Sequence, residues 1–236
     1  LPLAPQTDAI FRSVKDNFIS TLIAAFKIEA INQDSTALVI KVNDIYDGTE
    51  TSINNVFTNI NLGTSAIKNL SRILSIKSFP NNVVATSELT TKVTEGTTSV
   101  YVTVEVSSSI LLLPEKPMTG RFDNQKVGYF TNPLLSFSDA QQGTDKKQYI
   151  TRWRMEPKPE DREAYLKGQT VEPIKPIVFY IDNSTPYQWR SYIKKGIEDW
   201  QTAFEKAGFK NAIIAKEITD SMHVDMDDVN YSVLTY

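Results

Sequence analysis

One stretch near the end of the sequence, residues 174–209, constrains the fold more than any other. Ile177 to Ile181 form a continuous apolar run, which is typical of a β-strand covered on both faces. Helix-starting signals follow, because Thr185 and Gln188 match a capping box and Pro186 suits the first helical position. The stretch therefore predicts a strand that leads directly into a helix.

The other end of this helix is also marked in the sequence. Gly208 suits the left-handed position that follows a helix, and Phe209 would then contact Phe204 as in a Schellman motif. These limits predict a helix of about 21 residues, about 31 Å long. A second apolar run at 212–215 completes a β-α-β pattern, for which a parallel sheet is expected.

Apolar side chains recur along the predicted helix at the 3.6-residue spacing of a buried face. They are Trp189, Ile193, Ile197, Trp200 and Phe204. Gly196 lies in this stripe, although a glycine within a helix costs about 1 kcal/mol relative to alanine. A close approach of a sheet or another helix would explain it. Leucine at 196 is then expected to overpack the site and to cost roughly 1–3 kcal/mol.

The first half of the sequence alternates apolar and polar residues between turn-forming residues, which predicts an antiparallel meander. The predicted strands are 22–31, 36–46, 72–79, 83–93 and 99–113. The predicted turns between strands are 32–35, 80–82 and 94–98, and a short helix or turn is expected near 64–70. Together with the β-α-β pattern, these strands predict the α+β fold class.

The middle of the chain is broken by prolines and carries weaker signals. Short strands are predicted at 127–130 and 149–155, and a short helix at 160–166. The charged, proline-bounded segment 156–173 is interpreted as a linker. The predicted organisation is a β-rich domain at 1–155, the linker at 156–173 and a second domain at 174–236.

Composition excludes several kinds of site. The chain has no cysteine, which excludes disulfides, thiolate metal sites and cysteine nucleophiles. Its one histidine, His223, excludes a three-histidine metal site within these residues. The net charge of −3 predicts no nucleic-acid partner. No apolar run is long enough for a transmembrane segment, and the first residues predict no signal peptide.

The acidic segment 220–228, which includes His223, is the cluster that most resembles a metal site. Its carboxylates suit calcium, but their spacing does not match a calcium-binding loop and the glycine of that loop is absent. A solvated acidic loop is the preferred interpretation, with metal binding as the alternative.

Two further groups have competing interpretations. Asp182 and Glu172 flank the strand at 177–181, and a turn or capping role is preferred over paired acid–base chemistry. Arg152 and Arg154 would share one face of a strand with Trp153 buried on the other, and the alternative is a cation–π or basic patch.

Several segments resemble a family of large zinc-dependent metalloproteases of the metzincin type, found mostly in Bacteroidetes and usually exported. They are FDNQKVGYFT (122–131), YITRWRMEPK (149–158), residues 175–213 and DMDDVNYSVL (225–234). Residues 26–46 and 75–90 resemble the β-rich domain of unknown function that precedes the catalytic domain in that family. The resemblance covers nearly the whole chain and is most specific at 175–213.

The resemblance implies that an antiparallel β-rich domain is followed by the opening β-α-β of a zincin-like domain. In that family the zinc is bound later, by a helix bearing His-Glu-x-x-His, whose glutamate polarises the attacking water. This chain has no such motif, and His223 matches no ligand pattern. No catalytic, cofactor-binding or metal residue therefore carries over to this chain, and zinc is implied only for a longer protein.

The predicted function is that of the N-terminal portion of an exported zinc metallopeptidase that acts on proteins or peptides. This chain alone is predicted to be inactive. Tyr236 is expected to fall within a strand, which favours a piece cut before the active site over a homologue that has lost it. The alternative is a non-catalytic binding or structural module that holds a polymer, a partner chain or the cleft of the protease itself. A His-Glu-x-x-His motif after Tyr236 would discriminate between these hypotheses, and the oligomeric state stays open.

Overall fold

The structure is a computed structural model, and it describes residues 4–18, 22–51, 53, 55–60, 62 and 65–236. The helices are α1 (Ile10–Asn17), α2 (Asn43–Tyr46), α3 (Val56–Asn59), α4 (Arg162–Leu166), α5 (Tyr187–Glu198) and α6 (Gln201–Lys206). The strands are β1 (Ile28–Ile31), β2 (Leu38–Ile40), β3 (Arg72–Ser78), β4 (Asn82–Glu95), β5 (Thr98–Leu111), β6 (Thr131–Ser136), β7 (Asp145–Ile150), β8 (Ile177–Ile181), β9 (Ile213–Glu217) and β10 (Ser232–Leu234). Single 3₁₀ turns lie at Lys68–Leu70 and Pro159–Asp161.

The chain divides into two compact units. Residues 20–113 form the meander unit, and residues 1–19 with 114–236 form the parallel unit. Residues 114–155 thus pack with the second half of the chain, although the sequence groups them with the β-rich domain. The domain boundaries at 155 and 173 stay a prediction.

The meander unit is built on the antiparallel sheet β3-β4-β5, as the alternating pattern predicts. Strands β4 and β5 pair without interruption from Asn82↔Leu111 to Glu95↔Thr98, and Gly96 takes a φ of +60° in the tight turn between them. One face of the sheet packs on a core of Phe57, Ala66 and Leu89. The predicted hairpins at 72–93 and 83–113 are therefore confirmed. Of the predicted helix near 64–70, the structure has the 3₁₀ turn at its end, and residue 64 lies outside the described residues.

The first predicted hairpin is confirmed but is shorter than expected. β1 pairs with β2 through Ile31↔Leu38, and residues 22–27 are not a strand. The prediction of strand at 43–46 is wrong, because those residues form α2. Ile45 and Tyr46 are adjacent in sequence and both only 7% exposed, which a strand with alternating faces does not readily allow.

In the parallel unit, β6 and β7 form an antiparallel ribbon. The predicted strand at 127–130 is wrong, because the Val127 N–H bonds to the Asn124 carbonyl in a tight turn and the strand begins only at Thr131. The strand predicted at 149–155 lies earlier, at Asp145–Ile150. The short helix predicted at 160–166 is confirmed by the 3₁₀ turn and α4.

Strands β8, β9 and β10 form a parallel sheet in the order β10-β8-β9. The register pairs Ile177 with Ile213 and Ile181 with Leu234, so the predicted β-α-β unit and the α+β class are confirmed. The strand expected around Tyr236 is wrong in extent, since β10 ends at Leu234.

The predicted helix of about 21 residues is wrong in one respect, because it is divided into α5 and α6. At the break the Trp200 N–H bonds to the Ile197 carbonyl, three residues back, which tightens the turn. The side chains on either side of the break hold strand β9: Glu198 accepts from the Ala215 N–H at 3.3 Å and Gln201 from the Ala212 N–H at 2.9 Å. Within the described residues, no helix is both long and apolar enough to cross a membrane.

The predicted end of the helix is confirmed in detail. Gly208 has a φ of +89°, its N–H bonds to Glu205, and the Phe209 N–H bonds to the Phe204 carbonyl at 2.8 Å. These two bonds define a Schellman motif. Phe209 then packs with Ala212 in a small core beside Phe204.

Candidate functional site

An apolar cavity of about 470 Å³, here called the α5 groove, lies between the helices and one face of the parallel sheet. The sheet contributes Ile177, Phe179, Ile213 and Leu234. The helices contribute Ile193, Gly196, Ile197, Trp200 and Phe204, and Trp153 completes the lining. The lining carries no charged residue, so the groove is suited to an apolar surface rather than to acid–base chemistry.

Gly196 lines the α5 groove and is not covered by a neighbouring sheet or helix as the sequence predicts. A Cβ atom built at Gly196 would meet no atom within 4 Å, so the close approach expected there is not made by the described residues. Trp200 and Trp153 remain 65% and 53% exposed at the groove. The apolar stripe predicted from the sequence is therefore correct in position, but part of it is left uncovered.

Arg190 organises the loop that joins β8 to α5. Its Nε donates to the Thr185 carbonyl at 2.8 Å and its Nη2 to the Asn183 carbonyl at 2.9 Å. The same guanidinium pairs with Glu217 at 3.3 Å and lies 4.2 Å from the centre of the Tyr187 ring. With only 11% of its side chain exposed, Arg190 fixes where the strand ends and the helix begins.

The predicted capping box at Thr185 is wrong. The residue at the N-cap is Pro186, and the helix begins at Tyr187 without a side-chain cap. Thr185 is 1% exposed, and its hydroxyl has no hydrogen-bond partner among the described residues. Because Pro186 takes the N-cap position, the Thr185 side chain caps nothing, and the Thr185 carbonyl is bound by Arg190.

The two carboxylates that flank β8 have separate partners. Asp182 accepts from the hydroxyl and the N–H of Ser184, and the hydroxyl bond is the main reason that the pKa of Asp182 is lowered. Glu172 accepts from Asn211 at 2.9 Å and from Lys158 at 3.1 Å, and these bonds lower the pKa of Glu172. The turn role predicted for Asp182 is confirmed, and no hydrogen bond joins Asp182 to Glu172 within the described residues.

The acidic segment 220–228 forms a series of turns. The Asp225 side chain accepts from the Asp227 N–H at 2.9 Å, and the Asp228 side chain accepts from both the N–H and the amide of Asn230. His223 is exposed on this segment. In the part of the chain that is described, no group of three histidine or carboxylate side chains is arranged to hold a metal ion.

The interpretation of residues 152–154 as a strand is wrong. Arg152 donates to the Thr119 carbonyl at 2.8 Å and Arg154 to the Lys116 carbonyl at 2.9 Å, so both arginines bind the segment that follows β5. Trp153 is half exposed instead of buried, and its ring meets Phe179 edge-on at 6.1 Å.

A second cavity of about 510 Å³, here called the Tyr180 pocket, lies on the parallel sheet near β10. Its lining includes Trp153, Arg154, Lys175, Val178, Tyr180 and Tyr231. In contrast to the α5 groove, it combines aromatic walls with cationic side chains.

Sequence reasoning missed Arg190 and Gln201. Arg190 carried a usable signal, because a cation in the first turn of a helix is unfavourable unless it has specific partners. Gln201 carried none, since its partners on β9 are known only once the strand and helix are placed together.

Comparison with known proteins gives one family match. Residues 2–158 match the family model described as "Domain of unknown function (DUF5117)". No curated protein matches the chain. No solved structure matches it either. Because the match covers more than half of the 236 residues, the chain belongs to the DUF5117 domain family.

Proposed function

We propose that this chain is the front part of an exported zinc-dependent peptidase and that residues 174–236 open the catalytic domain. The observation that carries the proposal is the β-α-β segment β8-α5-α6-β9 of the parallel unit, whose helices leave the apolar α5 groove open. A groove with an entirely apolar lining suits the apolar side of another element of the same domain. Residues 175–213 resemble metzincin-type proteases, and in that family a helix bearing His-Glu-x-x-His follows later in the same domain. We propose that this helix is the element that packs on the groove.

Membership of a domain family of unknown function supports the same arrangement. The match ends at residue 158, before β8 begins at Ile177. This order is the one that the resemblance implies, with a β-rich domain in front of the catalytic domain.

The residues of this chain do not fit a zinc site. The sequence holds one histidine and no His-Glu-x-x-His, the side chains of Asp225 and Asp228 accept hydrogen bonds in turns, and Glu172 pairs with Lys158. No catalytic step is therefore assigned to them. The role proposed for this chain is to build the sheet and the helical wall against which the zinc-binding helix packs.

The proposal is tested by comparing residues 1–236 with the product of the complete reading frame that contains them. Both proteins are assayed for bound zinc and for cleavage of casein, with and without 1,10-phenanthroline. The complete protein is expected to hold zinc and to cleave casein until the chelator is added, and added zinc should restore cleavage. Residues 1–236 alone are expected to do neither.

The matched control is the complete protein with the glutamate of its His-Glu-x-x-His replaced by glutamine. It should keep its zinc and lose cleavage, because the metal ligands remain while the group that activates water is gone. A complete protein that binds no zinc and cleaves nothing would overturn the proposal.

A second candidate function, for the meander unit alone, is that of a non-catalytic binding module within the complete protein, and the β1–β2 hairpin favours it. Five apolar side chains on this hairpin are between 42% and 58% exposed: Ile28, Ile31, Leu38, Val39 and Ile40. Clustered exposed apolar side chains mark interaction surfaces. If this surface guides substrates, replacing Ile31 and Val39 by serine should weaken cleavage of casein by the complete protein while cleavage of a short peptide is unchanged.

A further inference from the structure

The Tyr180 pocket lies on a different face of the parallel sheet from the α5 groove. Val178 and Tyr180 alternate along β8 with Ile177 and Phe179, which line the groove, so their side chains project to the opposite side. The pocket is therefore separate from the surface assigned above to the zinc-binding helix.

The walls of the pocket are flat and apolar. The rings of Tyr180 and Tyr231 meet edge-on, 5.3 Å apart at 78°, and Trp153 and Val178 add further apolar surface. Walls of this kind favour a flat apolar body, which stacks against aromatic rings.

The charged residues in the lining are both cations. Arg154 is largely engaged, since its Nε pairs with Glu156 at 3.1 Å and its Nη1 donates to the Lys116 carbonyl. Lys175 is exposed, and no carboxylate of the described residues lies within ion-pair distance of it. Lys175 is thus the uncompensated charge of the pocket.

Further donors accompany this cation. The Tyr180 and Tyr231 hydroxyls make no hydrogen bond within the described part of the chain, so both can donate to a ligand. The acidic residues closest in sequence to the two tyrosines are already engaged: Asp182 accepts from Ser184, and Asp228, which is 8% exposed, accepts two hydrogen bonds from Asn230.

We propose that the Tyr180 pocket binds a carboxylate attached to a flat apolar body, with Lys175 pairing with the carboxylate and the aromatic walls holding the body. This chemistry occurs in free aromatic acids and in the C-terminal residue of a peptide. The site does not depend on the proposed peptidase activity, because its lining shares only Trp153 and Ile177 with the α5 groove, and neither supplies the charge or the tyrosine rings of the pocket.

The test is an NMR titration of ¹⁵N-labelled residues 1–236 with N-acetyl-L-tryptophan and, separately, with N-acetyl-L-tryptophanamide. The two probes differ only in the carboxylate. The acid is expected to shift the backbone amides of Lys175, Val178 and Tyr231 and to bind about threefold to fivefold more tightly than the amide, as suits an exposed ion pair.

Variants at two lysines sharpen the result. Lys175→Gln should bring the affinities for acid and amide together, whereas Lys194→Gln, which changes a lysine outside the pocket lining, should leave the preference intact. Equal binding of both probes by the unaltered chain, shifts confined to α5, or an unchanged preference in Lys175→Gln would each overturn the proposal.

A third arm distinguishes the two sources of the carboxylate. Indole-3-acetate binding as tightly as N-acetyl-L-tryptophan supports a free aromatic acid as the ligand. Tighter binding of N-acetyl-L-tryptophan, and of a tetrapeptide that ends in tryptophan, supports the C-terminal residue of a peptide.

Discussion

The meander unit and the parallel unit each contain a glycine beside apolar side chains. The space next to Gly48 in the meander unit is filled, whereas the space next to Gly196 in the parallel unit is open. Gly48 has a φ of +75°, and a Cβ there would lie 2.7 Å from the Cβ of Ala66. A Cβ at Gly196 would meet nothing within 4 Å. The core of the meander unit is therefore closed around its glycine, whereas the apolar face of α5 is only partly used by the described residues.

The two units also differ in which groups form hydrogen bonds with the backbone of their strands. Strand β4 lies between β3 and β5 and pairs with β5 over its whole length, from Asn82↔Leu111 to Glu95↔Thr98. Strand β9 lies at the edge of its sheet, where the Glu198 side chain accepts from the Ala215 N–H and the Gln201 side chain accepts from the N–H of Ala212, just before the strand. The long pairing of β4 with β5 thus involves backbone groups only, whereas β9 is also held by side chains of the helices α5 and α6.

The largest effect is expected from Gly48→Ala. The substitution forces alanine into a left-handed conformation and against Ala66, which together should lower the free energy of unfolding by roughly 2–4 kcal/mol. The loss can be measured by urea unfolding followed by far-UV circular dichroism. Unfolding at the same urea concentration as the unaltered chain would show that the core around Ala66 is looser than the structure has it.

A smaller effect is expected from Gln201→Leu, which removes the acceptor for the N–H of the fully buried Ala212. An unsatisfied buried N–H costs about 1–3 kcal/mol. Tryptophan fluorescence during unfolding reports this loss, because Trp153, Trp189 and Trp200 all lie in the parallel unit.

Gln201→Glu is the matched control for that substitution. It keeps an acceptor for Ala212 but loses the donor to the Phe209 carbonyl. It should therefore destabilise less than Gln201→Leu. Equal losses in the two variants would contradict the assignment of the effect to Ala212.

Gly196→Ala should have the opposite sign from Gly48→Ala and is the sharpest test of the comparison. Alanine should raise the stability of the chain by about 1 kcal/mol, because helix propensity improves and the added methyl group meets open space. The same measurement applied to Gly196→Leu should show no overpacking, in contrast to the expectation from sequence. A loss of stability in Gly196→Ala would mean that residue 196 is closely packed after all.

The elements predicted best are those whose signals are local. The Schellman end at Gly208 and Phe209, the hairpin turn at Gly96 and the apolar run of β8 each depend on residues next to one another in sequence. Their physical causes, a left-handed backbone and burial on two faces, are visible without knowing the rest of the fold.

Several failures come from partners that are distant in sequence. Helix α1 was not predicted, and its first N–H groups are bonded by Asp139, at 2.6 Å from Ala9 and 2.9 Å from Ile10. The capping box at Thr185 fails for a local reason instead, since Pro186 takes the N-cap position and Arg190, five residues after Thr185, binds the Thr185 carbonyl. Both cavities combine residues from segments far apart in the sequence, so neither could be assembled from spacing alone.

The smallest expected effect is a pH dependence of folding stability that affects the parallel unit but not the meander unit. Hydrogen bonds from Asn211 and Lys158 lower the pKa of Glu172, which links the segment before β8 to the segment before β9 in the parallel unit. A carboxyl group with a lowered pKa in the folded state stabilises that state above its unfolded pKa, and the contribution is lost as the pH falls through the lowered value. In Glu172→Gln, stability in the acidic range below about pH 4.5 should therefore fall less steeply than in the unaltered chain.

This pH effect should appear in the fluorescence of the parallel unit and not in the exchange of backbone amide hydrogens in β4 and β5. The contribution is small because Glu172 is largely open to solvent, where water and salt screen its ion pair. If stability falls with decreasing pH at the same rate in Glu172→Gln and in the unaltered chain, the bonds from Asn211 and Lys158 do not persist in solution. An equal change in both units would instead show that the two units unfold together. The structural differences between the meander unit and the parallel unit would then not produce separate stabilities.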